Sequence, residues 1–426
     1  MVLLIFLAAA GLMLTRRLPA LLALPLMALS IGLVAGLNQP DCSWSGTLQP
    51  LLFDKILGEG SKRLAGAMVT TMFGAILSQV VMRQGIARQL VRLAAEYAGD
   101  RKQLLALVLF TAVAANFSAL SGLGAVIMVG SLVLPILVSS GFSPRYAATL
   151  MLLGIGLGGI FNPANWKLYI ELLKIEPEIV RAHALHVAGL LAVVSVFYLL
   201  FEGSRQSKVF AWAAPVEEDE GGPRVPAIAL LTPILPPLLM LSLKWPDIPA
   251  FLAAILFGCV VTQPRRLVTN LTASILEGLK DVSPVIGLFL GLGMTLVATM
   301  DPSAEAIMKP FLLRVLPSSS MGYVAFFTLL APLTLYRGPF NLYGLGAGFA
   351  ALMAQSAVLP PVAVMMAFMS VGQVQSVCDP TNTHNVWIGQ FVHESPDRIL
   401  KHTLPYLWVY VLLTLTYGVV VKGVMS

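Results

Sequence analysis

Long apolar runs separated by short polar breaks fill the chain. Ten of them are candidates for membrane-crossing helices: 2–15, 18–36, 64–82, 145–161, 183–201, 226–243, 248–263, 282–300, 362–378 and 403–421. A hydrocarbon core about 30 Å thick needs about 20 helical residues, each rising 1.5 Å. The first run is short, but Arg16-Arg17 and a second apolar run follow it, so it is read as a span and not as a cleaved signal. Two further apolar stretches, 103–139 and 321–357, have polar, glycine-containing centres. The first arm of the former, Gln103–Ala115, would make only about 20 Å of helix, too little to cross. Both stretches are therefore expected to be re-entrant hairpins, with tips at Asn116–Gly122 and Leu333–Asn341. Between them and the spans, the basic segment 83–102 reads as an amphipathic helix lying at the membrane surface.

Self-comparison shows that the pattern occurs twice. At a constant offset of 217, Gly74 matches Gly291, Phe110-Thr111 matches Phe327-Thr328, and Ser139 matches Ser356. Pro144 matches Pro361, Pro163 matches Pro380, and Asn165 matches Asn382 at the same offset. One residue out of register, Glu59-Gly60 and Lys62 match Glu277-Gly278 and Lys280. The charged stretch 202–224 is the evident linker, giving a first repeat at 1–201, a cytoplasmic linker at 202–225 and a second repeat at 226–426. Five full spans in each half is an odd number, so the second copy must enter the membrane upside down. The expected fold is an all-α polytopic membrane protein of two inverted repeats, with about ten transmembrane helices, two re-entrant hairpins and two broken helices.

Composition supports the bilayer as solvent. Hydrophobic residues make up 57% of the 426 and charged residues 11%, against about 25% charged in soluble domains. The net charge of +6 does not indicate nucleic acid, because the basic residues sit in loops that would share one face. These are Arg16-Arg17, Arg83 to Lys102, Arg145, Arg205/Lys208, Arg265-Arg266 and Arg398/Lys401, and the positive-inside rule makes that face cytoplasmic. Cys42, Cys259 and Cys378 have no metal-motif spacing and no disulfide framework. The five histidines, at 183, 186, 384, 393 and 402, fall near span ends or in loops, and no nucleophile–base pair is visible at membrane depth. An intramembrane enzyme is disfavoured, and no cofactor is expected beyond a coupling proton or sodium ion. The expected partners are a small anionic solute and membrane lipid.

The chemistry is expected at the helix breaks. Asn162-Pro-Ala-Asn165 and Asp379-Pro-Thr-Asn382 each follow a long apolar run. Proline ends the helix before it, and the flanking short polar side chains can cap freed backbone groups. A half-helix C-terminus then offers carbonyls to a cation, and the next N-terminus offers N–H groups to an anion. Arg337 is the only charged side chain between Arg314 and Asp379. An arginine at membrane depth normally faces a cavity or a partner, and its planar fork suits a carboxylate. Asp379 is a candidate partner for it, a proton carrier or a cation ligand, with Thr381 and His384 beside it. Gln373 and Ser376 lie one turn apart before Asp379 and read either as path-lining groups or as interhelical hydrogen bonds. Gly154, Gly156, Gly158 and Gly159 are read as close-packing positions without a solute role.

This order of spans, surface helix, hairpin, proline-broken helix and span, then the same inverted, resembles the ion transporter superfamily. That group includes citrate, C4-dicarboxylate and gluconate permeases and some sodium/proton antiporters. The resemblance is architectural and covers nearly the whole chain; the Ser-Asn-Thr tip signature of the sodium-coupled dicarboxylate members is absent from both tips. It implies a solute site formed by Asn116, Ser118, Ser121 and Gly122 of one tip and Arg337, Gly338, Pro339 and Asn341 of the other, with Asn165 and Asn382 from the breaks. It implies ion coupling at Asp379, Asn162, Thr381 and His384, and a homodimer in which the hairpin-bearing part moves like an elevator. The function expected is secondary active transport of a small organic anion across the inner membrane, coupled to protons or sodium. The alternative is a cation/proton antiporter on the same scaffold.

Topology is directly testable. Single cysteines in a cysteine-free background should be protected from an impermeant reagent added outside when placed in 83–102 or 202–224. They should be labelled in 301–320 and at the C-terminus. Cytoplasmic location of 301–320 would overturn the inverted arrangement.

Overall fold

The structure, a computed structural model, describes residues 2–14, 17–206, 225–355 and 359–425. Arg16, linker residues 207–224, Ser356 and the Arg337 side chain lie outside the described residues. All regular elements among the described residues are helices. In chain order they are α1 (Val2–Leu14), α2 (Ala20–Leu37), α3 (Trp44–Arg83), α4 (Ile86–Ala98), α5 (Lys102–Phe117), α6 (Leu123–Ser139), α7 (Pro144–Phe161), α8 (Pro163–Leu173) and α9 (Pro177–Ser204). The second half continues with α10 (Leu235–Ser242), α11 (Asp247–Thr262), α12 (Leu267–Thr299), α13 (Pro302–Val315), α14 (Ser320–Leu329), α15 (Gly346–Gln355), α16 (Pro361–Cys378), α17 (Thr383–Phe391) and α18 (Pro396–Val420). Among the described residues seven helices are long and apolar enough to cross a membrane, or eight if the bent pair α13–α14 is one span.

The repeat is visible element by element. Helices α7 and α16 begin and end at the same offset, since 361 − 144 and 378 − 161 are both 217. The first hairpin, α5 and α6 joined at Ser118–Gly122, corresponds to α14 and α15 joined through a short turn at Ala331–Arg337 and an irregular tip. The amphipathic α4 buries Ile86, Ala87, Val91, Ala94 and Ala98 along one face, and α13 stands in its place in the second repeat.

Three of the expected spans differ in extent from the expectation. The run 226–243 is not one helix but a turn at Ala227–Leu231 followed by the eight-residue α10, because prolines at 233, 236 and 237 remove backbone donors there. Conversely, the spans expected at 64–82 and 282–300 are the second parts of much longer helices, α3 and α12, of 40 and 33 residues.

Those two long helices cross antiparallel at the centre. A Cβ on Gly60 would stand 2.7 Å from Met294 Cα, and one on Gly293 would stand 2.2 Å from the Gly60 carbonyl. Further along, a Cβ on Gly278 would stand 2.9 Å from Ile76 Cα. Advancing from Gly60 to Ile76 on α3 thus retreats from Met294 to Gly278 on α12, so equivalent helices of the two repeats run in opposite directions. The flanking helices follow the same symmetry: Gly291 of α12 meets Leu24 and Pro25 of α2, and its equivalent Gly74 of α3 faces Phe251 of α11. On one side α8 is hooked to this pair, with Glu171 Oε2 accepting the Ala67 N–H at 2.9 Å and Lys167 paired to Asp247 at 3.6 Å.

Backbone contact at these glycines leaves no room for a methyl group. Gly60→Ala and Gly278→Ala are each expected to cost about 1–3 kcal/mol, the usual cost of overpacking, read as a lower melting temperature in detergent. Gly189→Ala is the control, because nothing lies within 4 Å of its added Cβ. Equal losses at all three positions would contradict the crossing.

Candidate functional site

Each helix break is closed by its own polar side chains. Asn162 ends α7 with ψ of 119°, as the following proline requires, and its Oδ1 accepts the Ala164 N–H at 3.0 Å. Asp379 ends α16 with ψ of 112°, and its Oδ1 accepts both the Thr381 N–H at 2.9 Å and the Thr381 hydroxyl at 2.7 Å. The carbonyls freed at the end of α7 do not stand open. Asn165 Nδ2 donates to Gly159 O at 2.7 Å and Trp166 Nε1 to Ile160 O at 2.6 Å. After α16, Asn382 Nδ2 donates to Gln375 O at 2.7 Å, His384 Nε2 lies 3.0 Å from Ser376 O, and Asn385 Nδ2 donates to Val377 O at 3.0 Å. Amide, indole and imidazole groups thus reach several of the carbonyls at which a cation is expected.

Two cavities meet beside the breaks. One, of about 310 Å³, lies between the first hairpin tip and the broken helix, lined by Ser121, Gly122, Asn162, Asn165 and the α12 residues Asp281, Val285 and Phe289. The other, of about 240 Å³, is lined by Trp166, Tyr169, Gln373, Gln375 and Ser376. Gly159, Asn165, Tyr343, Ser376 and His384 line both. The Tyr343 hydroxyl donates to Asn165 Oδ1 at 2.5 Å, so this bond stands at the junction of the two chambers. Gly154 and Gly158 pack closely, with added Cβ atoms 2.6 Å from Val113 Cγ1 and 2.5 Å from the Ala114 carbonyl. Gly156 also packs closely, its added Cβ 3.2 Å from Val377 Cγ2, and both it and Gly159 line the 240 Å³ cavity.

The remaining expected residues divide by position. Ser121 and Gly122 are exposed at the first tip, where Gly122 takes a φ of 85° that favours glycine. Asn116 is buried and bonds back to Ala112 O, while Ser118 donates to Pro233 O at 2.9 Å. At the second tip Gly338 and Asn341 are buried, Pro339 is half-buried, and Asn341 Oδ1 accepts the Tyr343 N–H at 2.9 Å. A Cβ on Gly338 would lie 2.0 Å from the Leu333 carbonyl, and Tyr336 just before it takes a left-handed φ of 53°. Asn382 is buried, its Oδ1 accepting from Gln375 Nε2 at 2.8 Å and its Nδ2 donating to the Gln375 backbone carbonyl. Asp379 is 0% exposed, lines neither cavity, and leaves Oδ2 without a partner among the described residues. Thr381 is half-buried against it. Asp281, Tyr343 and Gln79 were not expected. The one signal for Asp281 was the out-of-register repeat, which sets it opposite the charged Arg63.

Among the described residues no cluster of three or more His, Cys, Asp or Glu side chains has the form of a metal site, and all three cysteines are free. No family model matches the sequence, and no curated protein matches it. Solved structures do share the fold. MtrF of Neisseria gonorrhoeae, described with a class of antimetabolite efflux pumps, superimposes with a TM-score of 0.68 at 15% identity over 94% of this chain and 95% of its own. The YdaH transporter of Alcanivorax borkumensis, described as having an unusual topology, gives a TM-score of 0.65 at 14% identity over 95% and 98%. The chain is thus an all-helical multi-pass membrane protein with a fold found in transporters.

Proposed function

We propose that this protein is a secondary active transporter in the inner membrane that moves a small organic anion, coupled to protons or sodium. The observation that carries the reading is the inequality of two equivalent breaks. Asn162 lines the 310 Å³ cavity, whereas Asp379, its repeat equivalent, is sealed at 0% exposure. At the hairpin tips Ser121 and Gly122 of the first are exposed, whereas Gly338, Phe340 and Asn341 of the second are buried. A symmetric pair of gates with one open and one shut is what alternating access requires of a single state. Arg337 is the anion-binding residue in this reading. Asp379, with one carboxylate oxygen free to take a proton, a cation or the Arg337 guanidinium, is the coupling residue. The likeness to MtrF supports export as a direction for the same chemistry. A second reading, cation/proton exchange, is favoured by one feature, the Asp281 carboxylate exposed in the cavity.

Neighbouring glycines separate path from packing. Gly159→Leu would project into the junction of the two cavities, with its Cβ only at ordinary contact distance, 3.7 Å, from Asn165. It should leave the melting temperature near wild type and block solute movement in proteoliposomes. Gly158→Leu should lower the melting temperature, because its Cβ would overlap the Ala114 carbonyl. Normal transport by a well-folded Gly159→Leu protein would remove this cavity from the pathway.

Arg337 and Asp379 separate the two readings. Removing one partner of a buried pair costs about 3–5 kcal/mol, a loss of affinity of about a hundredfold or more. Arg337→Ala should therefore abolish anion binding, and Arg337→Lys, which keeps charge without the fork, should weaken it strongly. Asp379→Asn should end uphill accumulation yet retain part of the exchange between loaded vesicles. Normal binding by a monodisperse Arg337→Ala protein would promote the antiporter reading.

A further inference from the structure

The first part of α3 is an amphipathic arm laid along α2. It buries Leu48, Leu51, Leu52 and Ile56, with Ile56 against Gly32 and Leu48 against Gly36. Trp44 and Phe53 are left exposed, their ring centroids 6.2 Å apart. Aromatic rings turned outward beside the end of a span belong at the membrane–water interface. Gln39 Nε2 donates to Ser303 Oγ at 3.0 Å, so the start of α13 stands level with that same end of α2.

At this level the arm, the end of α12 and the start of α13 border a cavity of about 570 Å³, which shares no lining residue with the two beside the breaks. Val297 and Met300 give it an apolar wall, and its polar lining is Lys55, Glu59, Lys62, Arg63 and Asp301. Asp301 is already engaged: Oδ1 accepts the Ser303 N–H at 3.0 Å, and Oδ2 lies 3.9 Å from Lys55 Nζ. Arg63 is half-buried, and its Nε and Nη2 are shielded from water with no hydrogen-bond partner among the described residues. Its Cβ lies 3.2 Å from the point where Gly293 would carry one, so the backbone crossing holds it here. A guanidinium drawn out of water without an acceptor is costly, and an anion in the cavity it lines offsets that cost. Three cations against two carboxylates leave one positive charge, the complement of a single phosphodiester.

We propose that this cavity binds the phosphate of an acidic phospholipid headgroup, in the leaflet on the side of 301–320. Basic pockets between membrane helices bind such headgroups, and a guanidinium can pair with two phosphate oxygens at once. Lys55 and Lys62 favour an acidic headgroup over one that carries its own ammonium. The volume is that of a small-molecule site, about 300–1,000 Å³, and Val297 and Met300 suit the first carbons beyond the phosphate. Bound there, the lipid ties α3 to α12 and α13 beside the glycine crossing and so holds one repeat to the other. Nothing in this site depends on the identity of the transported solute.

The test is binding of short-chain phosphatidylglycerol to the delipidated full chain in detergent, counted by native mass spectrometry and followed by melting temperature. Phosphatidylcholine of equal chain length and inorganic phosphate are the parallel arms. Wild type should bind one phosphatidylglycerol about tenfold or more tighter than phosphatidylcholine, and melt higher with it. Arg63→Gln should lose about tenfold or more of that affinity, and Lys62→Glu, at an exposed position, should abolish the preference. Arg265→Gln/Arg266→Gln, exposed before the far end of α12, should keep both. Equal binding of the two lipids, unchanged affinity in Arg63→Gln, or an equal loss in the Arg265/Arg266 control overturns the proposal. Inorganic phosphate binding as tightly as the lipid, with the same dependence on Arg63, would make this a free-phosphate site and overturn the lipid as occupant. Should Arg63→Gln not fold, Lys62→Glu decides: a preference retained there overturns the proposal.

Discussion

The crossing of α3 and α12 at bare backbone is the constraint on which the rest of the structure depends. Lipid tails are as apolar as leucine, so helices in a membrane gain little by hiding apolar side chains from them, and close van der Waals approach takes over as the cohesive term. Gly60, Gly278 and Gly293 provide that approach, and it fixes the two repeats in opposite senses about one centre. The cavity of about 310 Å³ is bounded on one wall by this helix pair, through Thr71, Ala75, Asp281 and Phe289, and on the other by the hairpin and the broken helix. Glu171 and Lys167 fasten the second half of that broken helix to Ala67 and Asp247. The repeat has no such fastening on the other side, where His384 and Ile388 occupy the equivalent positions.

The breaks solve a problem that the bilayer makes severe. A helix interrupted at membrane depth exposes carbonyls that no lipid can satisfy, each at a cost of several kcal/mol. Here the second half-helix supplies its own donors backward: Asn165 and Trp166 to the end of α7, and Asn382, His384 and Asn385 to the end of α16. The polar residues that look like a binding site in the sequence are in large part the suture of the break. The surfaces that remain wet are their outer edges, which is why Asn165 and His384 both close the backbone and line the cavities.

The hairpins, both breaks and the repeat were legible in the sequence, from polar, glycine-containing centres, a short polar residue before proline, and a fixed offset of 217. The long helices were not. Lys55, Glu59, Lys62 and Arg63 on α3, and Glu277, Lys280 and Asp281 on α12, interrupt hydropathy and read as loop ends. In the fold these charges ride on long helices, where Lys55, Glu59, Lys62 and Arg63 line one cavity and Asp281 another. Asp281 was missed for that reason, its one signal being the out-of-register repeat. Tyr343 was missed for another, since its role comes from a tertiary hydrogen bond to Asn165, 178 residues away. Among the described residues seven or eight helices satisfy length and hydropathy against about ten expected, because 2–15 and 248–263 form helices of only 13 and 16 residues and 226–243 is apolar without being continuous helix.

The glycine crossing also says something about origin. Gly60 against Met294 and Ile76 against Gly278 are one contact written twice, each pair related to the other by an offset of 218. In a chain of half this length, two identical copies inserted in opposite orientations would make both contacts with a single isologous surface about a two-fold axis in the membrane plane. One glycine would then be answerable to both contacts, and every residue at a break would have to serve in both orientations. Fusion into a single polypeptide lifts that restriction. It lets one break keep an asparagine while the other carries Asp379, and one crossing helix keep Arg63 while the other carries Asp281. Duplication followed by this loss of enforced symmetry is what allows a structurally two-fold molecule to be chemically one-sided.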